Sequence, residues 1–188
     1  MMYQCMRDCV ENNRVEEKRD IKKLKYVVIH NTATRNDLSA EEMELSMKRK
    51  RIPYRSWSDY ADIVPAHYTV DRDGGMIKSN DRDIDVGAVI KDKYNTLEQA
   101  MDANNHGIHI EVVGDFNQYA PTSEQYDAIN QILYWIEERR VNEWIPNKLE
   151  LKKHSDFQTK NCPWKYFDMS KLSWDKQFEK AKKNGSIE

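Results

Sequence analysis

Two histidines and a cysteine are the residues of this sequence whose types and positions suggest metal chemistry. His30 ends the apolar run LKYVVIH, and His154 ends a second run, LELKKH. Cys162 follows in the polar segment HSDFQTKNCP, residues 154–163. Two imidazoles and a thiolate form a known zinc ligand set when one coordination position stays available to water. Taken alone, however, segment 154–163 is also compatible with a surface loop that carries an accidental thiol.

The elements that must position these side chains are predicted to be strands. Residues 24–30 are rich in β-branched residues and predict a buried strand, and residues 149–154 predict a shorter one. A hairpin is expected over 66–79, because Asp73-Gly74-Gly75 separates two β-rich runs. In a further strand over 108–116, alternation puts His109 and Glu111 on one face. Strand ends in a rigid sheet present such side chains to a cleft.

Helices are predicted between these strands. Ser39 with Glu42 forms a capping-box pattern ahead of a helix over 40–51, and a short helix is expected near 95–103. The strongest helix begins at Thr122 or Ser123 and ends before Pro146; its apolar stripe consists of Tyr126, Ile129, Leu133 and Ile136. Interleaved strands and helices predict a single α/β domain with a central mixed sheet flanked by helices.

Composition and charge exclude several functional classes. The chain of 188 residues carries 30 basic and 32 acidic side chains, for a net charge of −2, so nucleic acid is not an expected partner. No apolar run approaches the roughly 20 residues of a membrane span. The first residues lack the apolar segment of a signal peptide. We therefore expect synthesis in the cytoplasm, with any action outside it following release or non-classical export.

The domain organisation predicted from the sequence has three parts. Residues 1–22 form a charged N-terminal arm, 23–169 a catalytic domain, and 170–188 a peripheral helix with a tail. Three cysteines, an odd number, are poor support for a disulfide framework, so Cys5 and Cys9 are expected to be ordinary thiols. A monomer is the expected state.

Four motifs then connect the chain to a known family. VVIHNTAT at 27–34, AHYTVDRDG at 66–74, IHIEVVGDF at 108–116 and HSDFQTKNCP at 154–163 occur in one order. In these motifs the chain resembles the zinc-dependent N-acetylmuramoyl-L-alanine amidases, the family shared by bacteriophage lysozyme-type amidases and peptidoglycan recognition proteins. The resemblance spans roughly residues 24–168. It implies a mixed sheet packed with helices and a groove for a glycan-peptide.

The resemblance also implies a reaction and a role for each site residue. Zn²⁺ would be bound by His30, His154 and Cys162, and the substrate would be bacterial peptidoglycan, cut between N-acetylmuramic acid and L-alanine. Zinc lowers the pKa of a bound water to about 7. Glu111 is the expected general base, and Lys160, two residues before the cysteine, is expected to stabilise the oxyanion. The expected biological role is that of a phage or prophage endolysin.

Three departures from the family pattern concern the site. Some members have a catalytic tyrosine where this chain has Ala66, and the branch without it relies on the glutamate, which favours Glu111. The usual glycine two positions before that glutamate is His109 here. Many members also have a histidine near the segment that corresponds to residues 85–90, and this chain has none there.

Alternatives remain open at this stage. A recognition module would hold muropeptide without cutting it, although non-catalytic relatives typically lack the cysteine. A closed structural zinc site would need a fourth ligand such as His109 or His67. His67 is otherwise expected to be packed, His106 is expected in an exposed loop, and structural and functional interpretations of His109 are balanced. Three aromatic residues could either stack on sugars or pack the wall of the groove: Trp57, Tyr60 and Trp164.

Overall fold

The computed structural model describes a mixed sheet and the helices that cover it. The residues described are 20–33, 39, 66–78, 97–142, 148–158 and 161–174. They form a five-stranded sheet in the order β3-β2-β4-β1-β5. Its strands are β1 (Tyr26–Asn31), β2 (Tyr68–Val70), β3 (Met76–Lys78), β4 (Gly107–Val112) and β5 (Glu150–Lys153).

Strand β1 lies in the middle of the parallel part of the sheet. It pairs in parallel with β4, where His30 is the register partner of Glu111, and with β5, where Ile29 pairs with Lys153. Strand β2 runs parallel to β4, and β3 closes the edge as an antiparallel hairpin partner of β2. Parallel strands end at the same edge of a sheet, so the residues that follow β1 and β5 meet there.

Helix α2 (Ser123–Asn142) covers the apolar face of the sheet. Its stripe of Ile129, Ile132, Leu133 and Ile136 belongs to one buried cluster with Val27, Ile29, Ile108 and Ile110 of the central strands. The helix begins where the Thr122 hydroxyl accepts a hydrogen bond from the backbone N–H of Gln125. The burial of this stripe fixes α2 on the sheet and stabilises the scaffold that carries the site.

The opposite face of the same strands is polar and equally buried. It carries His30, His67, Thr69, His109 and Glu111, none of which is more than 7% exposed. Helix α1 (Leu97–His106) lies at this face, where the carbonyl of Ala103 contacts the His109 ring. Buried polar side chains are costly unless they are hydrogen-bonded, so this face has to be organised as a network.

The predicted fold class is confirmed, and several predicted bounds need correction. The sheet is mixed, and the hairpin turns at Asp73-Gly74-Gly75 as expected. Strand β5 ends one residue earlier than expected, so that His154 begins a 3-10 turn, His154–Asp156. Helix α1 extends to His106, which corrects the prediction of an exposed loop residue there: its ring bonds to Asp102 and is 25% exposed.

Other predicted segments lie outside the described residues. These are the arm over 1–19, the helix over 40–51, the aromatic loop with Trp57 and Tyr60, and the C-terminal helix beyond residue 174. Across the described part of the chain, no helix combines the length and the apolar character that crossing a membrane requires.

We expect Leu133→Ala to lower the free energy of unfolding by about 2–5 kcal/mol, because it leaves a cavity between α2 and the sheet. Leu133 has no exposed surface, whereas Asp127 on the same helix is exposed. Asp127→Ala is therefore the matched control, with an expected change within about 0.5 kcal/mol. Urea denaturation followed by circular dichroism measures both. Equal effects of the two substitutions would contradict the assignment of this helix face to the core.

Candidate metal centre

Three potential metal ligands from distant parts of the chain meet at the carboxyl edge of the sheet. His30, His154 and Cys162 are all buried, and one ligand atom from each lies within 4.8 Å of the others. His30 is near the end of β1, His154 directly follows β5, and Cys162 comes from the next loop. The structure therefore brings together the three residues that the sequence analysis selected as zinc ligands.

The imidazole of His30 is held between two other histidines. Its Nδ1 lies 3.0 Å from Nδ1 of His154, and its Nε2 lies 2.8 Å from Nδ1 of His109. On the far side, Nε2 of His109 lies 3.0 Å from the carbonyl oxygen of Ala103. His30 thus presents one ring nitrogen to the other candidate ligands and uses the second to contact the sheet.

His154 is oriented in a comparable way by its own turn. Its Nε2 lies 2.7 Å from Oε1 of Gln158, and both side chains are buried. With the amide in this orientation, Nε2 donates the hydrogen bond and Nδ1 is the unprotonated nitrogen. Nδ1 of His154 therefore faces Nδ1 of His30 with a lone pair, as a metal ligand requires.

Asn31 contacts the sulfur of Cys162 at two points. The backbone N–H of Asn31 lies 3.4 Å from Sγ, and the thiol lies 3.2 Å from the side-chain Oδ1. The Asn31 amide in turn donates to the carbonyl of Gly114, at 3.1 Å. These two contacts fix the position of the Cys162 sulfur relative to the end of β1.

The donor set fits zinc. Zn²⁺ takes imidazole nitrogen at about 2.0–2.1 Å and thiolate sulfur at about 2.3 Å, usually in a tetrahedron. Two such ligands lie roughly 3.3–3.7 Å apart on one ion, so the observed cluster needs only small side-chain adjustments. Two nitrogen lone pairs that face each other at 3.0 Å repel unless a cation or a proton lies between them. A metal ion held by His30, His154 and Cys162 would supply such a cation.

Glu111 lies beside this cluster in the sheet. It is the register partner of His30, and backbones of neighbouring strands are about 4.8 Å apart. The side chain is 7% exposed, and burial raises its pKa to about 8. Desolvation of the carboxylate is the cause, since the charged form loses hydration that the protein interior does not replace. A carboxyl group with such a pKa holds a proton at neutral pH more readily than ordinary glutamates do.

Three other histidines lie among the described residues, namely His67, His106 and His109. His67 is fully buried and accepts a hydrogen bond from the backbone N–H of His109, at 3.0 Å, as expected for a packed residue. Among the described residues, neither His67 nor His109 belongs to the ligand cluster, so neither supplies a fourth ligand. His106 lies on the helix end described above. Lys160 lies outside the described residues.

A groove opens next to Cys162. It has a volume of about 380 Å³, and its lining includes Lys153, Asn161, Trp164 and Lys165. Trp164 both lines this groove and packs against the hydrophobic core, so packing accounts for part of its surface. Cys162 is the member of the cluster that lines this groove.

Sequence reasoning missed two residues that orient the ligands, Gln158 and Asn31. Each carried a weak local signal, because Gln158 is four residues after His154 and Asn31 directly follows His30. Their hydrogen-bond partners, however, depend on a turn and on strand packing that the sequence pattern does not specify.

Comparisons with known proteins agree with this architecture. The family model for N-acetylmuramoyl-L-alanine amidase matches residues 20–165, which is more than half of the chain. The chain therefore belongs to the N-acetylmuramoyl-L-alanine amidase family, and the resemblance seen in the sequence is confirmed. A search of curated proteins found no match.

Solved structures with the same fold include bacterial, phage and insect proteins. The N-acetylmuramoyl-L-alanine amidase LysC from Clostridium intestinale is 17% identical, with a TM-score of 0.54 over 94% of this chain and 95% of that one. The Ph2119 endolysin of a Thermus scotoductus bacteriophage is 22% identical, with a TM-score of 0.52 over 89% and 90%. A Drosophila PGRP-LB mutant in complex with tracheal cytotoxin is 16% identical, with a TM-score of 0.61 over 87% and 89%.

We expect Glu111→Gln to stabilise the metal-free protein at neutral pH. A folded-state pKa of about 8, against the ordinary 4.5, means that the folded protein retains a proton that the unfolded chain releases. Wild-type stability therefore falls as pH rises from 4.5 towards 8, and glutamine removes that loss. At pH 7 the gain is about 3 kcal/mol, and below about pH 4 it vanishes.

Urea denaturation in the presence of a chelator, repeated across this pH range, measures the difference. Glu150→Gln is the control, because the Glu150 side chain is 64% exposed. A gain for Glu111→Gln that does not change with pH would show that folding does not raise the pKa of Glu111.

Proposed function

We propose that this protein is a zinc-dependent hydrolase that cuts peptidoglycan between N-acetylmuramic acid and the L-alanine of the stem peptide. The observation that carries the proposal is the meeting of His30, His154 and Cys162, with two Nδ1 atoms 3.0 Å apart, inside a chain of the amidase family. The catalytic unit proposed is residues 23–169, and the family match over 20–165 supports it. Residues 1–22 are proposed as an arm and 170–188 as a peripheral tail.

The proposed ligands are Nδ1 of His30, Nδ1 of His154 and Sγ of Cys162. When bound, zinc supplies a Lewis acid that polarises a carbonyl group and lowers the pKa of water to about 7. The chain's part is to hold the ligands ready. His109 and Gln158 occupy the second nitrogen of each imidazole, and Asn31 directs an N–H towards the sulfur.

Glu111 is the proposed general base and acid. As base it takes a proton from the attacking water, and as acid it delivers that proton to the departing nitrogen of L-alanine. Burial favours the second task, because desolvation raises the carboxyl pKa. The positive charge of a neighbouring ion favours the first, because it stabilises the carboxylate. The strand register, which pairs Glu111 with His30, supports this assignment.

Lys160 is proposed to stabilise the negative charge that develops on the carbonyl oxygen. The support is its spacing, two residues before Cys162, which matches the family motif. A lysine ammonium at that distance along the loop provides electrostatic stabilisation without taking part in proton transfer. The groove beside Cys162, with Lys153 and Lys165 in its lining, is the proposed path for the anionic glycan-peptide.

The biological role that we propose is that of a phage or prophage endolysin. Two of the structures with the same fold are endolysins by name. Their matches cover 94% and 89% of this chain. The enzyme would act as a monomer on the wall after release from the cytoplasm or non-classical export. Expression in a bacterial host tests this role: turbidity is expected to fall only after the membrane is permeabilised. Lysis without permeabilisation would contradict it.

Digestion of purified sacculi is the direct test of the reaction. We expect new amino termini of L-alanine, with loss of this activity on chelation and recovery when zinc is added back. Mass analysis of the released peptides measures the product. New reducing sugar ends instead would mean that the glycan is cut. Muropeptide binding without any released peptide would favour the alternative, a recognition module that holds its ligand uncut.

Two substitutions separate metal binding from proton transfer. We expect Cys162→Ser to weaken zinc binding at least 10-fold, because a neutral hydroxyl replaces a thiolate ligand. We expect Glu111→Ala to retain zinc and lose at least 100-fold in rate, as is typical for removal of a general acid–base group. Elemental analysis and the digestion assay measure the two effects. A Glu111→Ala enzyme that releases stem peptides at the normal rate would exclude Glu111 as the base.

A further inference from the structure

We propose that His109 is a positioning residue, which fixes the tautomer and ring orientation of His30 so that Nδ1 of His30 is available to the metal. The inference rests on the metal site proposed above and adds a residue to it. The support comes from hydrogen-bond direction and from the space around the His109 ring.

The carbonyl group of Ala103 determines which atoms donate in the hydrogen bonds from His30 through His109 to Ala103. A backbone carbonyl only accepts, so Nε2 of His109 must donate to the oxygen of Ala103, at 3.0 Å. In a neutral imidazole the other nitrogen is then an acceptor, so Nδ1 of His109 accepts from Nε2 of His30, at 2.8 Å. His30 is thereby protonated on Nε2, and its Nδ1 carries the lone pair.

The space for this arrangement is made by Gly107. A Cβ atom at that position would lie 2.4 Å from the carbonyl oxygen of Ala103 and 2.8 Å from Nε2 of His109. Side chains two residues apart on a strand share a face, so any larger residue at 107 would occupy the place of the hydrogen bond. Gly107 and His109 therefore act as a pair: the missing side chain of Gly107 leaves space beside Ala103, and the His109 ring occupies that space.

His109 also contacts His67, through its backbone and through its ring. Its backbone N–H donates to Nδ1 of His67, at 3.0 Å, and the two rings stack with centroids 5.8 Å apart. His109 has no exposed surface. A second group that orients a metal-binding imidazole typically contributes 10–100-fold to metal affinity. The buried position and the fixed partners of His109 suit that role, because they leave the ring few alternative orientations.

The experiment compares His109→Leu with His109→Asn in the metal-free and zinc-titrated protein. Leucine fills the space but accepts no hydrogen bond, whereas the asparagine oxygen replaces Nδ1 as acceptor. We expect His109→Leu to weaken zinc binding about 10–100-fold and His109→Asn to restore most of the affinity. His106→Leu is the matched control, because that ring contacts Asp102 and not His30, and its affinity should match wild type.

A second measurement reads the tautomer without metal or turnover. In nitrogen-15 spectra of the metal-free protein, His30 should be protonated at Nε2 in wild type and in His109→Asn. In His109→Leu it should be a mixture of tautomers. Wild-type affinity together with an unchanged His30 tautomer in a folded His109→Leu protein would overturn the inference. Absence of zinc binding in the wild type would instead overturn the metal site itself, so the two failures are distinguishable.

Discussion

Parallel pairing of β1 with β4 on one side and β5 on the other is the constraint on which the site depends. This register puts Glu111 level with His30, and it ends β5 at Lys153, so that His154 follows at the same edge. A shift of one residue in either pairing would turn every side chain of that strand to the other face. Such a shift is unfavourable, because it would move core residues such as Ile29 and Ile110 to the polar side. The packing of the hydrophobic core therefore positions the candidate ligands, although His30, His154 and Cys162 are not members of that core cluster.

The two faces of the sheet divide stability from chemistry. One face packs against α2 through aliphatic side chains, and the other buries histidines and a glutamate. Burial of polar groups is unfavourable unless each finds a partner, and the partners here are other polar groups of the site. His109 contacts His30, Gln158 contacts His154, and Asn31 contacts Cys162. These three contacts thus join each candidate ligand to a polar partner in the buried surroundings of the site.

Glu111 illustrates what the site costs the fold. A carboxyl group whose pKa is raised to about 8 lowers the stability of the folded chain at neutral pH, because the folded chain keeps a proton that the unfolded chain releases. Strongly perturbed pKa values of this kind cluster at functional sites, and this chain belongs to the N-acetylmuramoyl-L-alanine amidase family. The position of Glu111, beside His30 in the sheet, is consistent with a cation near the ligands offsetting that penalty.

The sequence by itself located the central elements and selected the candidate metal ligands. Apolar periodicity located α2 and the central strands. Residue type and spacing selected His30, His154 and Cys162. Periodicity, residue type and spacing are local properties of the chain, so the sequence shows them directly. The tertiary structure decided which side chains meet. The contact between His30 and His109 joins residues 79 positions apart, and that between His30 and His154 joins residues 124 apart. Such contacts depend on strand register, on the room beside Gly107 and on the turn after β5, so no local pattern specifies them.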